Sequence, residues 1–126
     1  MVYELQAEVT FSAAHALRGY QGDCERKHGH NFRVQAVVYG QELDELGMLI
    51  DFKIFKEQLM KACAELDHQD LNQLPAFRKK NPSSEVLAEY IYDHLAGLLK
   101  DRWRNRVIIR QVTVWEAEKY GATYRP

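Results

Sequence analysis

Residues 2–12 alternate strictly between apolar and polar side chains. Tyr3, Leu5, Ala7, Val9 and Phe11 fall on one parity; Glu4, Gln6, Glu8, Thr10 and Ser12 fall on the other. A period of two suits a strand with one buried face and does not suit a helix. The alternation resumes over residues 28–40, with His30, Phe32, Val34, Ala36 and Val38 opposed to Asn31, Arg33 and Gln35. Residues 16–27, between the two runs, are polar, contain Gly19 and Gly22, and read as a loop. Two antiparallel strands follow. Their parity carries Ala13 and His15 to the apolar side of the first and His30 to the apolar side of the second. The end of the first strand then lies beside the start of the second, which brings His15 close to His28 and His30.

The rest of the chain changes period. A connector over 41–50 ends in Gly47-Met48-Leu49-Ile50, and Asp51 is placed to cap a helix. Phe52, Phe55, Leu59, Ala62 and Leu66 recur at helical spacing, with Cys63 beside them as a packed core thiol. Residues 67–82 are irregular and hold Asp67-His68, Pro75 and Pro82. A second helix starts near Ser83-Ser84-Glu85, its stripe Val86, Leu87, Tyr90, Ile91, His94, Leu95 and Leu98. Residues 106–116 are rich in Val and Ile and end in Trp115-Glu116; a short strand over 120–125 follows Gly121. The order β-β-α-α-β-β predicts an α+β fold, an antiparallel sheet with both helices on one face.

A chain of 126 residues suits one domain, 1–126. The formal charge of −1 provides no global field for nucleic acid or an anionic membrane. No apolar run reaches the length of a membrane span, and the alternation from Val2 onward is unlike a signal peptide. Two cysteines are too few for a disulfide framework, so a reducing, cytoplasmic location is expected.

His15, His28 and His30 match the ligand count of a catalytic zinc, which takes three protein groups and keeps one open position. The alternative is that they are hydrogen-bonded structural imidazoles. Cys24 is then either a fourth ligand closing the site, a thiol activated beside an open one, or an inert loop cysteine. Asp67-His68 has the composition of a proton shuttle, an acid fixing the tautomer of an imidazole, or of a solvated helix end. His94 reads as a core or edge histidine. Glu116, at a strand end, is either an exposed acid or an acceptor for paired hydrogen bonds from a guanidine-like ring edge.

Six blocks in order resemble the 6-pyruvoyl-tetrahydropterin synthase / 6-carboxy-tetrahydropterin synthase family. They are Phe11-Ser12-Ala13-Ala14-His15, Cys24-x-x-x-His28-Gly29-His30, Gly47 to Phe52, Leu66-Asp67-His68-x-x-Leu71-Asn72, Asn81-Pro82-Ser83-Ser84-Glu85 and Val114-Trp115-Glu116. The resemblance implies the tunnelling fold, in which subunits join sheet edges into a barrel. It implies a homohexamer, a dimer of trimers with active sites at subunit interfaces, and a small-molecule pterin substrate. Carried over, His15, His28 and His30 bind Zn2+, Cys24 is the general base, Asp67 and His68 form a relay supplied by a neighbouring subunit, and Glu116 anchors the pterin ring. Three residues between Cys24 and His28 resemble the bacterial 6-carboxy-tetrahydropterin synthases of queuosine biosynthesis, which convert 7,8-dihydroneopterin triphosphate with release of acetaldehyde and triphosphate. Glu25 makes the chain also read Glu-x-x-His-Gly-His, as in a folate-linked subgroup that forms 6-hydroxymethyl-dihydropterin; the alternative is a solvated loop acid. The further alternatives are 6-pyruvoyl-tetrahydropterin formation and a non-catalytic pterin-binding relative with a structural zinc. Arg26, Lys27 and Lys53 are candidates for the triphosphate by charge alone.

Overall fold

The structure is a computed structural model that describes residues 1–19 and 26–126. Its strands are β1 (Tyr3–His15), β2 (His28–Gly40), β3 (Gln69–Asp70), β4 (Ile108–Ala117) and β5 (Tyr120–Tyr124); its helices are α1 (Phe52–Cys63) and α2 (Ser84–Trp103). The sheet order is β3-β1-β2-β4-β5. β1 and β2 pair antiparallel without a break, from Tyr3 opposite Gly40 to His15 opposite His28. The alternation that predicts the two strands therefore also sets their register, since a slip of one residue would turn every apolar side chain to the other face.

The helices cover one face of the sheet. Phe11, Phe32, Val34, Ala36, Val112 and Val114 from the strands join Phe55, Leu59, Leu87, Ile91 and Leu95 from the helices in one buried cluster. Each such large side chain stabilises the fold by about 1.5–3 kcal/mol relative to an exposed position. The opposite face is polar and carries cross-strand pairs. Arg33 Nη1 lies 3.3 Å from Glu8 Oε1, its guanidinium sits 4.8 Å from the Trp115 ring centroid, and Arg110 pairs with Glu4.

Local chemistry fixes the helix starts. The Asp51 carboxylate accepts from Lys53 N–H at 2.7 Å, and Ser83 Oγ accepts from Val86 N–H at 3.2 Å. Glu85 in the first turn of α2 faces the positive end of the helix dipole. Among the described residues, no helix is long and apolar enough to cross a membrane.

Three expectations are corrected. Phe52 does not belong to the buried stripe: it is 65% exposed, and the stripe begins at Phe55. A side chain on the first helical residue projects back toward the helix start, and Phe52 borders an open cleft with Leu5 and Val37 instead of joining the core. His94 is exposed, because the buried line on α2 runs Leu87, Ala88, Ile91, Leu95, Leu99. The imidazole instead stacks on Tyr90 at 4.0 Å, and its Nδ1 donates to the Tyr90 carbonyl at 2.9 Å. The sheet also gains β3, a two-residue strand parallel to β1 at Ala13 and Ala14, so it is mixed rather than wholly antiparallel. Two residues carry no periodicity, which is why this strand has no signature in the sequence. Cys63 is buried as expected. Burial, then the nearby Asp67 charge, pushes its thiol up to about 12, so it is inert.

Candidate metal centre

The β1–β2 register alone assembles most of the site. His15 ends β1 opposite His28 at the start of β2, and His30 lies two residues on, on the same face. Ring centroids are 4.7 Å apart for His15 and His28, 4.6 Å for His28 and His30, and 5.5 Å for His15 and His30. β4 brings the fourth group. Glu116 continues the parity of Val112 and Val114, at a shift in the β4–β5 register between Trp115 and Ala117. Such a bulge re-aims a side chain. Glu116 Oε1 lies 2.7 Å from His15 Nε2, 3.1 Å from His30 Nε2 and 3.6 Å from His28 Nε2. All four groups offer a ligand atom within 4.8 Å of one another.

The protons decide what this cluster suits. His15 Nδ1 is 2.7 Å from the Pro82 carbonyl oxygen, and His28 Nδ1 is 2.7 Å from that of Arg26. A carbonyl only accepts, so each Nδ1 carries the hydrogen and a neutral ring presents a bare lone pair at Nε2. Those lone pairs face a carboxylate oxygen. A bare lone pair and a carboxylate repel across that contact, whereas a shared cation, a proton or a metal ion, makes it attractive. His30 favours the neutral state: burial lowers its pKa most, Glu116 opposes this, and the other two imidazoles lower it further. Three converging imidazoles, two of them with outer-shell hydrogen bonds to carbonyls, and an acid at hand fit Zn2+.

Asp67 and His68 sit at the outer edge of β1. Ser12 N–H donates to Asp67 Oδ1 at 3.0 Å, and His68 N–H donates to the Ser12 carbonyl at 2.6 Å. Asp67 Oδ1 is 3.0 Å from His68 Nδ1, so the two neighbouring side chains do meet. The Ser12 amide above all, with His68, holds the Asp67 carboxyl below its ordinary range. His68 has φ of 60°, in the left-handed region that a non-glycine residue seldom occupies. That turn carries the chain into β3 and leaves the imidazole 81% exposed. His68 and His30 border the same open cleft of about 490 Å³, with Ser12, Asn31 and Asp70. Within one chain, therefore, the pair lies on the rim and is not among the converging imidazoles.

Glu116 also borders a second cleft, about 230 Å³, with Ser84, Glu85, Tyr120, Gly121 and Ala122. Cys24 and Glu25 lie outside the described residues. Lys27 forms an ion pair with Asp70, and Lys53 is exposed at the start of α1. The Pro82 carbonyl, which sets the His15 tautomer, has no side-chain signature; the one sequence signal is its place between an asparagine and the α2 cap.

Residues 4–126 match the family model described as 6-pyruvoyl tetrahydropterin synthase. The chain is 35% identical over 129 residues to the 6-carboxy-5,6,7,8-tetrahydropterin synthase of Bacillus subtilis, a match covering 98% of this chain and 86% of the relative. It is 30% identical over 112 residues to the dihydroneopterin monophosphate aldolase of Pyrococcus furiosus, covering 89% and 88%. The solved 6-pyruvoyl tetrahydropterin synthase of Caenorhabditis elegans superposes with a TM-score of 0.86 at 24% identity, over 100% of this chain and 96% of that one. The fold is thus the tunnelling fold expected from the six sequence blocks.

Proposed function

The chain belongs to the 6-pyruvoyl tetrahydropterin synthase family, and on that premise we propose that it is a zinc-dependent 6-carboxy-5,6,7,8-tetrahydropterin synthase. It converts 7,8-dihydroneopterin triphosphate to 6-carboxy-tetrahydropterin, releasing acetaldehyde and triphosphate, a carbon–carbon lyase step of queuosine biosynthesis in the cytoplasm. The observation that carries this reading is the convergence of three imidazole Nε2 atoms, two of them on rings whose Nδ1 hydrogen is already committed.

His15, His28 and His30 would hold the zinc, which when bound would supply Lewis acidity to the side-chain oxygens of the substrate. Cys24 is the general base that takes the carbon-bound proton of the substrate side chain. Asp67 keeps the hydrogen of His68 on Nδ1, leaving Nε2 to accept and return a proton, and the exposure of that ring suits delivery to a neighbouring subunit's site. Glu116 accepts paired hydrogen bonds from the amino and amide edge of the pterin, its carboxylate being at the boundary between the imidazoles and the smaller cleft. The assembly is a homohexamer, a dimer of trimers in one 126-residue domain per subunit.

Incubating the zinc-loaded protein with 7,8-dihydroneopterin triphosphate and resolving products by mass spectrometry tests the assignment. The expected product is 6-carboxy-tetrahydropterin with acetaldehyde. A 6-pyruvoyl product would reassign the reaction, and no turnover by zinc-loaded protein would favour a binding role. A second reading is 6-hydroxymethyl-dihydropterin formation through Glu25, favoured by the similarity to an enzyme named as an aldolase on dihydroneopterin monophosphate.

A further inference from the structure

Beyond His15 the chain leaves β1, and its peptide groups need new partners. Two asparagines supply them. Asn72 Oδ1 accepts from Ala16 N–H at 2.8 Å while Asn72 Nδ2 donates to the Ala16 carbonyl at 2.9 Å. Asn81 Oδ1 accepts from Arg18 N–H at 2.9 Å while Asn81 Nδ2 donates to the Arg18 carbonyl at 2.9 Å. Each carboxamide stands in for the peptide of a neighbouring strand, offering one donor and one acceptor to alternate residues. The next residue after Asn81 is Pro82, whose carbonyl takes the His15 Nδ1 hydrogen. His15 is therefore tied at its backbone neighbour by Asn72 and at its ring by the peptide that Asn81 anchors. The Arg18 guanidinium adds hydrogen bonds to the Phe77 and Lys80 carbonyls, drawing the same connector inward. Asp70 extends the tie to the second strand: it accepts from Asn72 N–H at 3.3 Å and pairs with Lys27, the residue before His28.

We propose that Asn72 and Asn81 are positioning residues for the metal centre, setting the orientation and tautomer of His15 through the backbone they clamp. The inference rests on the reading of His15, His28 and His30 as zinc ligands. An outer-shell group bonded to a ligand, as the Pro82 carbonyl is to His15, is worth about 10–100-fold in metal affinity, and the asparagines act through that contact. The side chain must be an amide, because an aspartate has the same shape but only acceptors, and would turn an anion toward a carbonyl.

The test is zinc affinity by chelator competition, with the visible spectrum of the cobalt(II)-substituted protein, for the wild type, Asn72→Asp and Asn81→Asp. Each variant is expected to bind zinc about 10–100-fold more weakly and to show an altered cobalt ligand-field spectrum. A merely structural clamp would lower the melting temperature yet leave affinity within about twofold and the spectrum unchanged, which overturns the inference. Should an aspartate variant not fold, Asn72→Ser and Asn81→Ser remove the clamp without adding charge and are judged by the same outcomes. A wild type that takes up neither metal refutes the metal reading itself; a wild type that binds alongside variants that bind equally refutes this inference alone.

Discussion

At the scale of single residues, the site is a problem in proton placement. His15 is 1% exposed and has both ring nitrogens in polar contact, so protein groups rather than water set its hydrogen bonds. Its inward direction follows from strand parity alone, whereas Glu116, though it shares a face with Val112 and Val114, is also aimed by the bulge between Trp115 and Ala117, which has no signature in the sequence. The carbonyls of Pro82 and Arg26 were not legible, because every residue has a carbonyl and only the fold says which one meets a ring. The reading assigns Cys24 as base, so Cys24→Ala should abolish 6-carboxy-tetrahydropterin formation while zinc stays bound; retained turnover would remove it from that role. Glu25→Ala should spare that reaction and end any 6-hydroxymethyl product, and equal loss of both would mean that Glu25 is no separate base. Asp67 gives a pH dependence with a definite sign. Its folded pKa is depressed, so its contribution is present above the ordinary carboxyl value of about 3.9 and is lost as pH falls through the lower folded value. Wild-type protein should therefore lose melting temperature faster than Asp67→Asn as acid is added through that window; parallel curves would contradict the assignment.

Among the elements, β1 and β2 were readable from end to end because a period of two over 13 residues leaves no other structure. β3 was not, being fixed by Asp67 and His68 docking on Ser12 and not by its own sequence. The hairpin of β4 and β5 matters most to the site, since it carries Glu116. Gly121 lies under Trp115: a Cβ there would stand 2.7 Å from two atoms of the indole. Gly121→Ala should cost about 1–3 kcal/mol by overpacking, measured as a lower denaturation midpoint, and should disturb the bulge that aims Glu116. An unchanged midpoint would show that the indole moves aside freely. In α2, Ile91→Ala should cost about 2–5 kcal/mol, as Ile91 is fully buried between helix and sheet.

For the whole molecule, a two-layer fold leaves one sheet face and the outer strand edges without a partner among the described residues. Exposed edges of long strands invite pairing, and a barrel of several copies removes them. The proposed hexamer predicts a mass near six times 14.7 kDa by light scattering at micromolar concentration; a monomer there would contradict an active site shared between subunits. All of this depends on a cation among three imidazoles, and anomalous diffraction from crystals of the zinc-loaded protein tests that most directly. The account predicts one peak at the zinc edge bounded by the Nε2 atoms of His15, His28 and His30, with the fourth position held by water or substrate. No peak there, or a Cys24 sulfur bonded to the metal at about 2.3 Å so that the site is closed, would contradict it.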